Sequence, residues 1–255
     1  MKLSTKQIAL TSVFACFYYL FSFLPGIPAP GIADLKIQVE ACFATVFGYI
    51  LGPYLGAMSA FLGAFLSWVL PPGNMSPTGL LFLPSPILNA AISGFLFQRK
   101  FKPAIFGLSL LIVSFLLTPP IQPINDFWNV GLAVVWDKII ALLLIISLMF
   151  IDRHPRGIRE GNESKQNPQR SYREVLRLFI MAFIGNEMDN MWGSFVFALP
   201  FIYKTIYQLD VQVVRWLFLV SPFAYPAIRF LQAIIATLIA VPLLRTLRSA
   251  KLIDA

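Results

Sequence analysis

Asn186, Glu187, Asp189 and Asn190 interrupt an otherwise apolar run from Val175 to Pro200. An ionisable side chain left unpaired in hydrocarbon costs several kcal/mol, so such residues face a bundle interior or a watery cavity and mark a functional site by default. At 100° per residue on a helix, Asn186, Asp189, Asn190 and Gly193 share one face, with Glu187 at its edge. The glycine leaves room beside the carboxylate. In the last apolar run, Tyr225, Arg229 and Gln232 follow at i, i+4 and i+7. A guanidinium cannot shed its charge near neutral pH, so a buried Arg229 needs a carboxylate or an anionic ligand, and Asp189 or Glu187 is the economical partner. Asp137 and Lys138 fall in the middle of another run, about 100° apart and hence directed to different partners, and Asn89 falls in the middle of a fourth. This set of groups suits the binding of a small polar molecule. Glu187, Asp189 and Asp137 would equally serve proton or Na⁺ coupling in a stand-alone transporter, and two carboxylates are the minimum for acid–base chemistry.

The elements that must hold these side chains are membrane helices. Of 255 residues 58% are hydrophobic and 13% charged, against roughly 25% charged in soluble domains. Apolar runs near spanning length occur at about 7–24, 37–51, 53–70, 80–98, 103–118, 128–151, 174–200 and 222–245. The fold expected is an all-α polytopic membrane protein of about eight membrane helices, one integral membrane domain over 1–255. If both termini are cytoplasmic, 15 of the 20 Lys and Arg lie on or beside cytoplasmic segments, including the polar 152–173 loop, and only Lys36, Lys204 and Arg215 lie toward the other face. That is the positive-inside pattern, and the net charge of +8 then needs no nucleic acid. By the same orientation, Asn186 to Asn190 lie 13 to 17 residues beyond Arg173, roughly 20–25 Å along a helix and therefore in the outer half.

Proline- and glycine-rich loops at 25–31 and 71–79 read as ordered caps that cover a site from outside. Small residues four apart in the first run, Thr11/Ala15 and Ser12/Cys16, and in the third, Gly52, Gly56, Ala60 and Ala64, permit close helix approach. Trp68, Trp128 and Trp192 read as residues of the membrane interface. The two cysteines lie in apolar segments and the sole histidine, His154, in a charged loop, so neither a disulfide framework nor a metal site is expected. Phosphate-binding, zinc-protease and serine-hydrolase motifs are absent, so no enzyme activity and no cofactor is expected, and any ATP-driven step needs another subunit.

Four segments carry a family resemblance: Ile8-Ala9-Leu10-Thr11-Ser12-Val13-Phe14-Ala15, Val46 to Ala57 through Gly48, Gly52-Pro53 and Gly56, Asn89-Ala90-Ala91-Ile92-Ser93-Gly94-Phe95-Leu96-Phe97, and Phe183-Ile184-Gly185-Asn186-Glu187-Met188-Asp189. In their order and sidedness they resemble the substrate-binding S components of energy-coupling-factor (ECF) transporters, over about the first 100 and the last 80 residues. The resemblance implies a six-helix bundle, here extended by an inserted helical hairpin at 103–151, with a pocket in the outer half capped by the loop between helices one and two. It implies capture of a vitamin-like nutrient, with Asn186, Glu187, Asp189, Asn190, Tyr225, Arg229, Gln232, Asn89 and Asp137 as site residues. It also implies docking of the first helix, through Ala9, Thr11, Ser12 and Ala15, onto a membrane coupling subunit driven by ABC-type ATPases. The family's paired alanines stand here as Thr11 and Ala15. No inverted repeat relates the two halves, which disfavours the ion-coupled alternative.

Overall fold

The computed structural model describes residues 4–29, 32–37, 40–73, 75–153, 168–250 and 252, with only the backbone of 28–29, 32–37, 153 and 168–171. His154 and most of the 152–173 loop lie outside the described residues. Each of the eight apolar runs is helical: α1 (Thr5–Phe21), α2 (Ala41–Val69), which contains two of them, α3 (Pro77–Phe82) continuing through Leu83 into α4 (Pro84–Phe97), α5 (Phe101–Leu116), α6 (Ile124–Arg153), α7 (Pro168–Phe197) and α9 (Ala224–Ser249). Between the last two stand a π-helical turn, Phe201–Ile206, and a short helix, α8 (Val211–Val220). Ala41–Val69, Pro77–Phe97, Ile124–Asp152 and Ala224–Ser249 are long and apolar enough to cross a membrane, and the chain is a polytopic helical membrane protein.

The longest of these apolar stretches is not one rod. Gly52 has φ 77° and ψ −180°, outside the helical region, and Pro53 opens the arm that follows. A Cβ on Gly56 would sit 2.8 Å from the Phe47 carbonyl oxygen and 2.9 Å from Gly48 Cα. In a continuous helix those residues would be about 12 Å apart along the axis, so α2 doubles back at Gly52 as two antiparallel arms. α4 seals this hairpin: a Cβ on Gly94 would lie 2.5 Å from Pro53 N, and one on Gly48 would collide with the Ala90 carbonyl. The glycines are the contact surface, letting backbones approach without interposed side chains.

α1 begins at a capping box, in which Ser4 Oγ accepts from Gln7 N (3.2 Å) and Gln7 Oε1 accepts from Ser4 N (3.0 Å). Its Thr11, Ala15 and Tyr18 are buried against the second arm of α2, where Ser59 Oγ donates to Thr11 O (2.9 Å) and Gly63 meets Ala15 and Tyr18. Among the described residues, Ile27–Ala29 (β1) and Ile32–Ile37 (β2), between α1 and α2, depart from helix and form an antiparallel hairpin pairing Ile27 with Ile37.

α5 and α6 form a hairpin through a 3₁₀ turn at Pro119–Ile121. Arg215 of α8 clamps that turn: its Nε donates to Pro120 O (2.9 Å), its Nη2 to Gln122 O (3.0 Å), and its guanidinium lies 3.3 Å over the Phe127 ring. α8 is thereby tied to the outer end of the α5–α6 hairpin. α7 runs through the middle of the molecule, packed by α4, α5, α6 and α9.

Candidate functional site

A cavity of about 420 Å³ lies where α1, α2, α3, α4, α6, α7, α8 and α9 converge. That is within the 300–1,000 Å³ range of small-molecule sites. Its polar floor is built by three helices. α6 contributes Asp137 and Lys138, α7 contributes Asp189, Asn190 and Gly193, and α9 contributes Tyr225 and Arg229. Its apolar sides include Trp68, Phe82, Phe197 and Phe218.

Charge pairing organises the floor. Arg229 Nη2 lies 3.3 Å from Asp189 Oδ1, and its Nη1 donates to Gln232 Oε1 at 2.8 Å. Lys138 Nζ lies 2.8 Å from Asp137 Oδ2 and 3.2 Å from Glu187 Oε2. All six side chains are buried. Of the two carboxylates the sequence offered to Arg229, Asp189 takes it, and Glu187 goes to Lys138. Asp137 and Lys138, expected to face different partners, are instead bonded to each other. The lysine's long stem bends back across the roughly 100° that separates the two Cβ directions. Lys138 lines the cavity beside Asp137, although only Asp137 of the two stood among the expected site residues.

Asn89 and Asn186 occupy a neighbouring position and do not line the cavity. Asn89 Nδ2 donates to Asn186 Oδ1 (2.9 Å), and Asn89 Oδ1 accepts from Thr45 Oγ1 (2.8 Å) and Ser93 Oγ (3.2 Å). Gly185 lets this junction close, because a Cβ there would collide with Ser93 Oγ. The pair joins α2, α4 and α7 one helical turn from the floor. Asn190 lines the cavity, with its Nδ2 3.5 Å from Glu187 Oε2, and Gly193 faces open space, its nearest neighbour Phe82 at 3.7 Å from an added Cβ.

Several buried polar atoms have no partner: Asp189 Oδ2, Glu187 Oε1, Arg229 Nε and Asn186 Nδ2. In a native core such atoms are rare, and they fit a site completed by something bound. No cluster of metal-ligating residues occurs among the described residues.

Among the described residues, the cover over the cavity comes from the second proline–glycine loop and from the segment around α8. Pro72, Gly73, Ser76, Thr78 and Gly79 line the cavity from one side, and Tyr207, Leu217, Phe218, Ser221 and Pro222 from the other. Trp68 Nε1 donates to Ser76 O (2.8 Å), Tyr19 Oη to Pro71 O (2.8 Å) and Trp136 Nε1 to Pro222 O (3.0 Å), so both covers are anchored. Trp68 and Trp192, whose Nε1 donates to Leu81 O (3.0 Å), are therefore internal anchors, while Trp128 is exposed as an interface residue would be. Of the four α1 positions singled out for docking, Thr11 and Ala15 turn inward against α2, and Ala9 and Ser12 are exposed.

Fold and site together define a polytopic membrane protein with a partly covered cavity of small-molecule size. Residues 2–121 match the family model described as ECF-type riboflavin transporter, S component. Over that segment, just under half its length, the chain is similar to the S components of that family. S components are transporter subunits, and they bind small-molecule substrates and work with a membrane coupling subunit and ATPases. Three of the four resembling segments lie inside the match; Phe183 to Asp189 lies beyond it. No curated protein and no solved structure matches the chain.

Proposed function

We propose that the protein is the substrate-binding subunit of an ECF-type importer, taking a vitamin-like small molecule from outside and releasing it inward with a separate coupling subunit and ABC-type ATPases. The carrying observation is the covered 420 Å³ cavity with unpartnered polar atoms on its floor, in a chain whose first half matches the S-component family. Asp189, Asn190, Tyr225, Arg229, Asp137 and Lys138 contact the substrate. Glu187 and Gln232 hold Lys138 and Arg229 in place, and Asn89 with Asn186 sets the separation of α4 and α7. α6, which begins just beyond the matched segment, adds Asp137 and Lys138 to the site. Both termini face the cytoplasm, as the distribution of Lys and Arg supports, and the exposed Ala9 and Ser12 face of α1 meets the coupling subunit.

The test is direct. Mass spectrometry of small molecules released from the detergent-purified protein, together with quenching of riboflavin fluorescence on titration, is expected to reveal one bound small molecule in the wild type. Folded Arg229→Ala protein should lose that binding by at least about tenfold. Equal binding by the folded variant would remove the cavity from the proposal. Uptake by the purified protein alone in liposomes, collapsing with an ion gradient and indifferent to ATP, would replace the proposal with an ion-coupled transporter.

A further inference from the structure

We infer that the cavity selects a planar heteroaromatic cation over neutral or anionic molecules of the same shape; this rests on the binding-subunit reading above and names its ligand class. Five charged side chains form or back the floor. Asp137, Glu187 and Asp189 carry three negative formal charges against two positive ones on Lys138 and Arg229, a balance of −1. Both cations are already engaged, Lys138 by two carboxylates at 2.8 and 3.2 Å and Arg229 by Asp189 at 3.3 Å and Gln232 at 2.8 Å. The carboxylates are not saturated. Asp189 Oδ2 and Glu187 Oε1 lack partners, although Asp189 is only 6% exposed and Glu187 fully buried, and Asp189 lines the cavity. An anion would find only Arg229 Nε open on either cation and would lie against the unpartnered oxygen of Asp189. A cation with an N–H donor would complete Asp189 as it stands. Arg229 Nε, the remaining unpartnered donor at the floor, suits a single neutral acceptor on the same molecule, such as a carboxamide oxygen.

The sides of the cavity argue for a flat ring. Trp68 of α2, Phe82 of α3, Phe218 of α8 and Tyr225 of α9 line it. Aromatic faces attract a cation positioned over them, the more so where water is excluded. All five charged residues lie outside the segment matched to the riboflavin family. The half of the site that determines ligand charge is thus independent of the match to riboflavin transporters, and riboflavin is neutral.

Three probes share one ring and differ in charge: 1-methylnicotinamide (cation), nicotinamide (neutral) and nicotinate (anion). Isothermal titration into the detergent-purified full chain is expected to rank 1-methylnicotinamide first by roughly tenfold or more, with nicotinate weakest. That preference should shrink toward parity in Asp189→Asn, and also in Glu187→Gln, each checked by its melting curve, so that one folded variant suffices. Tighter or equal binding of nicotinamide or nicotinate, an unchanged preference in both folded variants, or no binding of any probe at millimolar concentration overturns the inference. Riboflavin binding in a preparation that ignores the cation would sink the charge selectivity while leaving the binding-subunit reading intact. A preparation that binds none of these compounds and releases no small molecule to mass spectrometry would sink both.

Discussion

Lys138 has a double electrostatic duty, since one ammonium group serves two buried carboxylates on different helices. Removing one partner of a buried ion pair leaves an uncompensated charge and costs on the order of 3–5 kcal/mol. Lys138→Met is therefore expected to lower the melting temperature of the detergent-solubilised protein sharply. Glu187→Gln added to that variant should recover part of the loss, because it deletes one of the two stranded charges. A Lys138→Met protein that melts like the wild type would show that the cluster does not hold α6 to α7. The exchange of partners at this site, Arg229 to Asp189 and Lys138 to Glu187, follows from side-chain reach, which residue spacing alone does not reveal.

Among the elements, the hairpin of α2 and its seal by α4 depend on glycine in two distinct ways. At Gly52 the φ of 77° is itself the requirement. Any other side chain there pays roughly 1–2 kcal/mol of left-handed strain. At Gly94 the requirement is space, because a Cβ would lie 2.5 Å from the backbone nitrogen of Pro53, which cannot yield as a flexible side chain can. Gly193, by contrast, has 3.7 Å to Phe82. Gly94→Ala should thus destabilise the protein in thermal melts clearly more than Gly193→Ala. The latter is expected to keep the wild-type melting temperature and to act on ligand binding, since it narrows the cavity. Matching melting temperatures for the two variants would contradict this account of the hairpin.

Across the whole molecule, the two faces of α1 have separate tasks. Thr11, Ala15 and Tyr18 are packed inward on α2, and Ala9 and Ser12 are exposed. Under the importer proposal, Ser12→Trp should leave small-molecule binding by the purified protein unchanged and abolish ATP-dependent uptake in a reconstituted assembly. Thr11→Trp should instead damage the fold, because Ser59 Oγ bonds the Thr11 carbonyl across a tight contact. Undiminished uptake by Ser12→Trp would move the docking surface off this face.

Composition and apolar run length were enough to define a helical membrane protein, because hydrocarbon admits only segments that satisfy their own backbone hydrogen bonds. All eight runs are helical for that reason. The i, i+4, i+7 spacing on α9 and the polar face of α7 were legible too, since a helix's periodicity is local. The loop hairpin β1–β2 was not, because its register depends on pairing across a turn and not on either strand alone. Nor could sequence say which of Gly52, Gly56, Gly94 and Gly185 touch backbone, which small residues of α1 face inward, or that Asn89 and Asn186 meet each other beside the cavity. Those facts depend on which helix lies next to which. The tertiary structure alone decided that two ion pairs drawn from α6, α7 and α9 close around one cavity, because a charge buried in a membrane protein takes its partner from whatever helix packing brings within about 4 Å.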